Sequence, residues 1–216
     1  MTGFTTLLGE DCCIVEARDR AMWSAGLLEA ERGLTVGMNR QRLREYTAGR
    51  NCARAALVHL GFPGLPIGKG SGGEPLFPPG VCGSISHTDN YCAAALALKR
   101  HIAALGIDAQ SNRPLEAPLY RRVLGRPPTK NFATQGFCEG TLQFSIKEAF
   151  YKAIFSFCQR HVRAGDLIVD LLTEPGHCAI HSLAPDLESC LAPFTVDVRY
   201  AFDEQRLYSA VALRER

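Results

Sequence analysis

The sequence predicts an α+β fold, and two features of its hydrophobic pattern lead to that prediction. Two long segments, one beginning at Asn39 and one at Ser145, repeat apolar residues at the spacing of an amphipathic helix. Each is accompanied by short apolar or alternating segments that are typical of strands. The 216 residues, of which 46% are hydrophobic, suffice for one large domain or for two small ones packed together.

The elements of the first half follow from local patterns. Residues 10–18 are predicted to form a strand and residues 21–32 a helix. A clear helix begins at Asn39 and is ended by Gly61. Residues 61–83 are rich in glycine and proline, which predicts a long loop, and a loop of this length in a compact domain usually has a function.

In the second half, residues 91–98 are rich in alanine and are predicted to form a buried strand. Residues 103–109 are expected to form a second strand, antiparallel to the first. A helix is predicted over residues 145–159, and residues 195–201 and 206–212 alternate as in a hairpin. The prolines expected to break the chain before that helix are Pro114, Pro118, Pro127 and Pro128.

Composition and charge exclude several classes of protein. No apolar run is long enough to span a bilayer and the N-terminus lacks a signal pattern, so we expect a cytoplasmic protein with no membrane partner. A net charge of +2 is too small to predict bulk nucleic-acid binding. The nine cysteines form no C-x-x-C pair, which fits reduced thiols in the cytosol. Residues 177–181, with two histidines and a cysteine, are a metal site or, as we favour, an ordinary strand.

Asp108 and Gln110 stand two residues apart on a predicted strand, so both side chains leave the same face. A buried aspartate requires a partner, and a hard cation such as Mg²⁺ would provide one. The alternative is a carboxylate at the end of a strand that caps a loop or pairs with an arginine.

Glu148 and Lys152 stand one turn apart in the second predicted helix. In one interpretation, Glu148 shares a divalent cation with Asp108 while Lys152 holds a phosphate beside it, which points to metal-assisted chemistry on a diphosphate. In the other, Ser145 and Glu148 form a capping box at the start of the helix, and Glu148 and Lys152 form an ordinary ion pair.

Two further pairs of residues also allow two interpretations. Arg50 and Arg54 share one face of the first long helix, where they form either a solvated surface or a phosphate clamp. Ser86 and His87 follow the glycine-rich loop and either close a local turn or present a hydroxyl and an imidazole to a phosphate.

Taken in order, four segments resemble the motifs of the Sfp/EntD-type 4′-phosphopantetheinyl transferases, in the branch found in siderophore, polyketide and non-ribosomal peptide pathways. Any one motif is weak, but four in the family's order and spacing, across about residues 40–155, are specific. The segments are residues 44–57, 73–88, 106–108 and 144–153.

The resemblance implies a pseudo-twofold, two-lobed fold in which each lobe is a small antiparallel sheet packed on a long helix. The expected lobes are residues 1–105 and 106–216, in a monomer with the active site between them. The implied reaction transfers the 4′-phosphopantetheine group of coenzyme A to the serine of apo acyl, peptidyl or aryl carrier proteins and releases 3′,5′-adenosine bisphosphate.

The resemblance also implies roles for individual residues. Asp108, Gln110 and Glu148 are the implied ligands of Mg²⁺, with Mn²⁺ as a possible substitute. Asp108, Glu148 and Lys152 are the implied catalytic residues, and Glu148 or a water that it holds is the expected base. The implied coenzyme A site comprises Arg50, Arg54, Lys69, Glu74, Pro75, Ser86, His87, Lys147 and Lys152.

The sequence departs from the family pattern at two places. Gln110 stands where relatives commonly have a third acid, and Gly72 and Gly73 stand where relatives often have a basic residue, so we expect Lys69 to reach the 3′-phosphate. These departures motivate an alternative, a coenzyme A-binding homologue with impaired catalysis. A third hypothesis is a module that binds carrier proteins without catalysing a reaction. It is disfavoured because binding alone needs neither Glu148 nor Lys152. The carrier surface is expected near residues 111–145.

Overall fold

The structure is a computed structural model that describes residues 3–124, 136–158, 162–172, 174, 176–182 and 184–216. Its first elements are β1 (Cys12–Glu16), α1 (Arg20–Ser24), α2 (Glu29–Arg32), α3 (Arg40–His59), β2 (Gly68–Lys69), β3 (Pro75–Leu76), β4 (Val81–Thr88), β5 (Tyr91–Leu98) and β6 (Ala104–Ser111). The remaining elements are α4 (Ala117–Leu124), α5 (Glu139–Cys158), β7 (Leu167–Leu171), β8 (Cys178–Ser182), α6 (Pro185–Leu191), β9 (Phe194–Phe202) and β10 (Arg206–Glu215).

The strands form two three-stranded antiparallel sheets and two small ribbons. The first sheet has the order β1-β5-β4 and the second the order β6-β10-β9, while β2 pairs with β3 and β7 with β8. This mixture of helices and antiparallel sheets confirms the predicted α+β class. The finer prediction of two pseudo-twofold lobes stays a prediction, and its boundary at residue 105 falls inside β6.

The two sheets pack face to face, and each carries one long helix on its other face. Even-numbered residues of β5 pack against α3, while its odd-numbered residues pack against β6 and β10. Because both faces are buried, the strand is almost entirely apolar, and its alanines let the layers approach closely. A third cluster joins the second sheet to α5. The layers are therefore α3, first sheet, second sheet and α5.

Two glycines allow each long helix to lie close to a strand. A Cβ atom on Gly49 of α3 would lie 2.8 Å from Cγ2 of Ile85 on β4. A Cβ atom on Gly106 of β6 would lie 1.9 Å from the carbonyl oxygen of Ala149 on α5. Any side chain at Gly106 would therefore push α5 away from the strand that carries Asp108.

Several predicted elements are confirmed. Helix α3 has Asn39 as its N-cap, whose side chain accepts a hydrogen bond from the backbone N–H of Arg42 at 2.8 Å. Gly61 adopts a positive φ of 85° just past the end of this helix. The strand over 91–98 and the hairpin of β9 and β10 are present, and the favoured strand near residue 178 is β8.

Three other predictions are wrong in whole or in part. Residues 21–32 form two short helices separated by a break that contains Gly26. Strand β6 pairs with β10 and not with β5, because both edges of β5 are already paired, with β1 and with β4. The glycine-rich segment 61–83 contains the β2–β3 ribbon and the start of β4.

Helix α5 begins at Glu139, six residues before the predicted start, so Ser145 is internal and no capping box forms there. The Ser145 hydroxyl instead donates to the backbone carbonyl of Asp108 at 3.3 Å. Pro118 lies in the first turn of α4, where proline is tolerated. Pro127, Pro128 and Gln159 lie outside the described residues. Within the described ranges, the helices are too short or too polar to cross a membrane.

Candidate active site

A cavity of about 1000 Å³ opens where the edge strand β4 of the first sheet meets the edge strand β6 of the second. Helices α3 and α5 and the loop that contains β2 and β3 form its other walls. Ten of the twelve predicted site residues line this cavity, namely Arg50, Lys69, Glu74, Pro75, Ser86, His87, Asp108, Gln110, Glu148 and Lys152. The fold thus brings together residues that are up to about a hundred positions apart in sequence.

Serine side chains of β4 connect the two sheets at the base of the cavity. The Ser86 hydroxyl accepts a hydrogen bond from the backbone N–H of Ala109 at 2.9 Å and donates to Asp108 Oδ1 at 3.2 Å. Ser84 Oγ donates to the carbonyl of Ile107 at 3.5 Å. These hydroxyls satisfy part of the free edge of β6 and fix the position of Asp108.

The Asp108 carboxylate is 4% exposed and is held by side chains. Lys152 Nζ lies 2.7 Å from Oδ1 and also donates to the Ile107 carbonyl at 3.1 Å. Gln110 Nε2 donates to Oδ2 at 2.8 Å. Both carboxylate oxygens are therefore satisfied within the protein, as the burial of a charge requires.

Glu148 lies on the same wall, one helical turn before Lys152. Burial, and secondly the negative charge of Asp108, raise the pKa of the Glu148 carboxyl, although Lys152 and Arg122 oppose the shift. A raised pKa makes this carboxylate a stronger base. It also indicates that the two carboxylates repel one another, so a cation placed between them would be stabilised.

The oxygen donors of this wall fit a hard divalent cation. No group of three His, Cys, Asp or Glu side chains is positioned to share a metal ion in the described part of the chain. Magnesium, however, commonly takes only one or two protein carboxylates and completes its coordination with water and substrate phosphates. Asp108 and Glu148 supply that number, and the carboxamide of Gln110 lines the same cavity.

Arg50 gives the opposite wall a buried positive charge. Its guanidinium is stacked over the ring of Tyr46, 4.3 Å from the centroid, and donates to the carbonyls of Ile67 at 3.1 Å and Gly68 at 3.0 Å. Burial lowers the pKa of Arg50, but an arginine stays charged. Within the described residues no carboxylate lies within 4.0 Å of it, so its charge is available to an anion in the cavity.

Two cavity residues near Arg50 were missed by the sequence analysis. Arg42 Nη1 lies 2.5 Å from Nε2 of His87, and Glu45 Oε2 lies 3.3 Å from His87 Nδ1. Arg42 precedes Tyr46 by four residues and Glu45 precedes Gly49 by four, so these residues share the face of α3 that lines the cavity. That spacing was the signal that would have found them.

The glycine-rich loop wraps around Glu74. A Cβ atom on Gly70 would lie 1.9 Å from Glu74 Oε1, and one on Gly72 would lie 2.2 Å from the Phe155 ring. A side chain at position 70 would displace the Glu74 carboxylate, and one at position 72 would displace the Phe155 ring. In the described structure Glu74 Oε2 is buried without a hydrogen-bond donor, so it can accept one from a ligand.

Two predicted site residues lie outside this cavity. Arg54 is paired with the buried carboxylate of Glu31 and donates to Asn51 Oδ1. Lys147 donates to the carbonyl of Val123 at 2.8 Å and lines a second cavity of about 490 Å³, which shares Glu148 and Tyr151 with the first. Both predicted contacts with coenzyme A stay predictions, and the position of Arg54, paired with Glu31, does not favour its contact.

Comparison with known proteins shows that residues 30–97 match the 4′-phosphopantetheinyl transferase N-terminal domain family. The chain is 39% identical over 127 residues to the 4′-phosphopantetheinyl transferase Npt of Nocardia iowensis, which covers 57% of each chain. It is 47% identical over 120 residues to Svp of Streptomyces mobaraensis, covering 52% of this chain and 48% of that protein. It is 33% identical over 144 residues to PptT of Mycobacterium tuberculosis, covering 62% and 60%.

The chain thus spans about half the length of the curated relatives that it matches. These similarities confirm the resemblance to the 4′-phosphopantetheinyl transferases that the four motifs predict. The family match ends at residue 97, before Asp108, Glu148 and Lys152.

Proposed function

We propose that this protein transfers the 4′-phosphopantetheine group of coenzyme A to the serine of an apo carrier protein, using Mg²⁺ and releasing 3′,5′-adenosine bisphosphate. The observation that carries the proposal is a single cavity lined by two groups of charged side chains. The first group is Asp108, Glu148 and Lys152, and the second contains Arg50, whose positive charge has no carboxylate partner among the described residues. Similarity to 4′-phosphopantetheinyl transferases supports the same activity.

The size and charge of the cavity suit coenzyme A. A volume of about 1000 Å³ is at the upper end for ligand pockets, as a long nucleotide thioalcohol requires. The diphosphate and the 3′-phosphate are anions that Arg50 and Lys69 can bind. The second cavity meets the first at Glu148 and Tyr151, and its apolar residues Val123 and Phe144 suit the pantetheine arm.

The residues of the carboxylate wall can promote the reaction. Glu148, or a water that it holds, accepts the proton of the carrier serine, whose oxygen then attacks the β-phosphorus as the bond to the bridging oxygen breaks. Lys152 is placed to offset negative charge on the leaving phosphate. When bound by Asp108 and Glu148, Mg²⁺ would supply charge neutralisation at the diphosphate. The burial of Asp108 strengthens the electrostatic interactions that this carboxylate makes.

One observation favours a second candidate, a coenzyme A-binding homologue with impaired catalysis. Gln110 stands where a third acid is common, and its amide nitrogen donates to Asp108 Oδ2 at 2.8 Å. This contact occupies an oxygen that a metal ion would need, and a neutral amide adds no charge to attract the ion.

Intact mass spectrometry separates these candidates. Apo carrier protein, coenzyme A and Mg²⁺ are incubated with the protein, and Glu148→Gln serves as the isosteric control. We expect the carrier to gain the mass of one phosphopantetheinyl group with the natural protein and far more slowly with the variant. Binding of coenzyme A in calorimetry without any mass gain would favour the second candidate, and absence of both would refute the two together.

A further inference from the structure

The contact between Arg42 and His87 defines the protonation state of the histidine. Arginine has only hydrogen-bond donors, so His87 Nε2, 2.5 Å from Arg42 Nη1, must be an acceptor. The imidazole is then neutral and carries its proton on Nδ1. That nitrogen lies 3.3 Å from Glu45 Oε2, which can accept the proton in a hydrogen bond. Arg42 and Glu45 together therefore select one neutral tautomer.

The charged groups around His87 come from three elements. Arg42 and Glu45 belong to α3, Asp108 to β6 and Lys152 to α5. Burial lowers the pKa of His87, and Arg42 and Lys152 add to the shift, while Glu45 and Asp108 oppose it. This direction agrees with the neutral form that the contact with Arg42 requires.

An anion in the cavity would compete for Arg42 with His87 and with Glu45, whose Oε2 lies 3.5 Å from Arg42 Nη1. A guanidinium prefers a phosphate, which it can bind through two charge-assisted hydrogen bonds, to a neutral imidazole. The Arg42 side chain is 46% exposed and can turn, whereas that of Arg50 is fixed by two carbonyls and a ring. Once Arg42 turns away, the lone pair of Nε2 faces a phosphate oxygen, a contact that is repulsive unless the nitrogen is protonated.

We propose that a phosphate group entering the cavity takes Arg42 from His87, and that Nε2 of His87 then takes up a proton and donates it to the phosphate in a hydrogen bond. Ligand binding is thus coupled to proton uptake at one residue. The ligand rests on the proposed function: coenzyme A provides both a diphosphate and a phosphate monoester. Because the bound complex holds one more proton, affinity rises as the pH falls, until His87 is also protonated in the free protein.

Calorimetry in buffers of different ionisation enthalpy counts the protons that accompany binding of coenzyme A. The 3′-phosphate itself titrates near pH 6, so the informative quantity is the difference between the natural protein and His87→Gln. We expect the natural protein to take up more protons than the variant, by up to about one per ligand near pH 7.

His101→Gln is a matched control. His101 Nε2 also accepts from an arginine, Arg100 Nε, at 2.9 Å, and its Nδ1 lies 3.6 Å from Asp11. Its surroundings resemble those of His87, but it lies outside the cavity lining. The control variant is expected to match the natural protein in proton uptake and affinity.

Glu45→Gln and nitrogen NMR extend the test. Removing the Glu45 carboxylate destabilises the protonated imidazole, so proton uptake should fall part of the way towards that of His87→Gln. The imidazole nitrogen shifts of the natural protein should change from neutral to charged when coenzyme A binds. A neutral His87 in both states, or equal uptake by the natural protein and His87→Gln, overturns this proposal alone. If the natural protein does not bind coenzyme A, the proposed function and this proposal fall together.

Discussion

Glu31 and Asp108 are two buried carboxylates that each pair with a cation on a long helix, and their surroundings differ. Glu31, 1% exposed, accepts hydrogen bonds from the backbone N–H groups of Leu28 at 3.1 Å and Ile67 at 3.0 Å, and pairs with Arg54. Asp108 is held by the side chains of Ser86, Gln110 and Lys152. Of the two carboxylates, Asp108 lines the cavity and Glu31 does not.

The difference between these two carboxylates indicates different roles. Backbone donors are fixed by the fold, so Glu31 joins α2, α3 and the segment before β2 in one arrangement. Side-chain donors can rotate away, so under the proposed function we expect Asp108 to exchange its partners for a cation or a substrate. The backbone N–H of Ile67 donates to Glu31 and its carbonyl accepts from Arg50. Ile67 therefore connects the Glu31–Arg54 pair to the wall of the cavity.

The largest effect on transfer is expected at Glu148, which lines the same cavity as the exchangeable carboxylate Asp108. Glu148→Gln keeps the shape of the side chain and removes the proposed base, one of the two carboxylates of the wall. We expect the transfer rate to fall by about 10²- to 10⁴-fold, measured by conversion of apo carrier to its holo form. An unchanged rate would show that Glu148 is neither the base nor a metal ligand.

The same variant should be more stable than the natural protein above the pKa of Glu148. The folded-state pKa of this carboxyl is raised, so the folded protein binds more protons than the unfolded chain between the two pKa values. The stability of the natural protein relative to Glu148→Gln therefore falls as pH rises through the folded-state pKa and is constant beyond it. Urea unfolding at several pH values measures this difference, and a constant difference at all pH values would contradict the assignment.

The second-largest effect is expected on stability, at the buried pair of Glu31 and Arg54. Glu31→Gln leaves the buried Arg54 charge without its counter-charge and should lower the free energy of unfolding by about 3–5 kcal/mol. Urea unfolding gives this value, and the rate per folded molecule should change little. Asp108→Asn is the isosteric counterpart, and for it we expect the reverse pattern, a large loss of transfer and a small loss of stability. Equal patterns in the two variants would refute the distinction between fixed and exchangeable carboxylates.

A smaller effect is expected from the loop that Glu31 holds in place. Lys69 follows Gly68, whose carbonyl accepts from Arg50, and it lines the cavity. Lys69→Ala should raise the KM for coenzyme A about tenfold, as loss of one charge-assisted hydrogen bond does, and leave the KM for the carrier unchanged. Arg100→Ala, outside the cavity lining, is the control. An unchanged KM for coenzyme A would dismiss the role of Lys69.

The smallest effect is expected at Gln110, one of the exchangeable donors to Asp108. Gln110→Glu replaces an amide that donates to the carboxylate with a third negative charge. The Mg²⁺ concentration for half-maximal rate should fall by about threefold, because added ligand charge strengthens binding of a hard cation. Measuring the transfer rate at increasing Mg²⁺ concentrations gives this half-maximal concentration, and Gln110→Asn is the neutral control. Identical metal dependence of all three proteins would refute the prediction.

Local chemistry made much of the fold predictable. Asn39 marks the start of α3 because its side chain caps the helix, and the alanine-rich β5 is recognisable because both of its faces are buried. The start of α5 was not predictable, because the capping motif at Ser145 is overridden by a tertiary hydrogen bond to Asp108. The partner of β6 is β10, about a hundred residues away, and no local pattern encodes such a pairing.

The sequence by itself determined which residue types face which side of each element: Asp108 with Gln110 on a strand, Glu148 with Lys152 and Arg50 with Arg54 on helices. Only the tertiary structure decided their partners, placing Lys152 on Asp108 in the cavity and Arg54 on Glu31 outside it. The physical reason is that periodicity fixes the direction of a side chain along its own element. The counter-charge that a buried ion needs comes from a distant segment, and its position depends on how the whole chain packs.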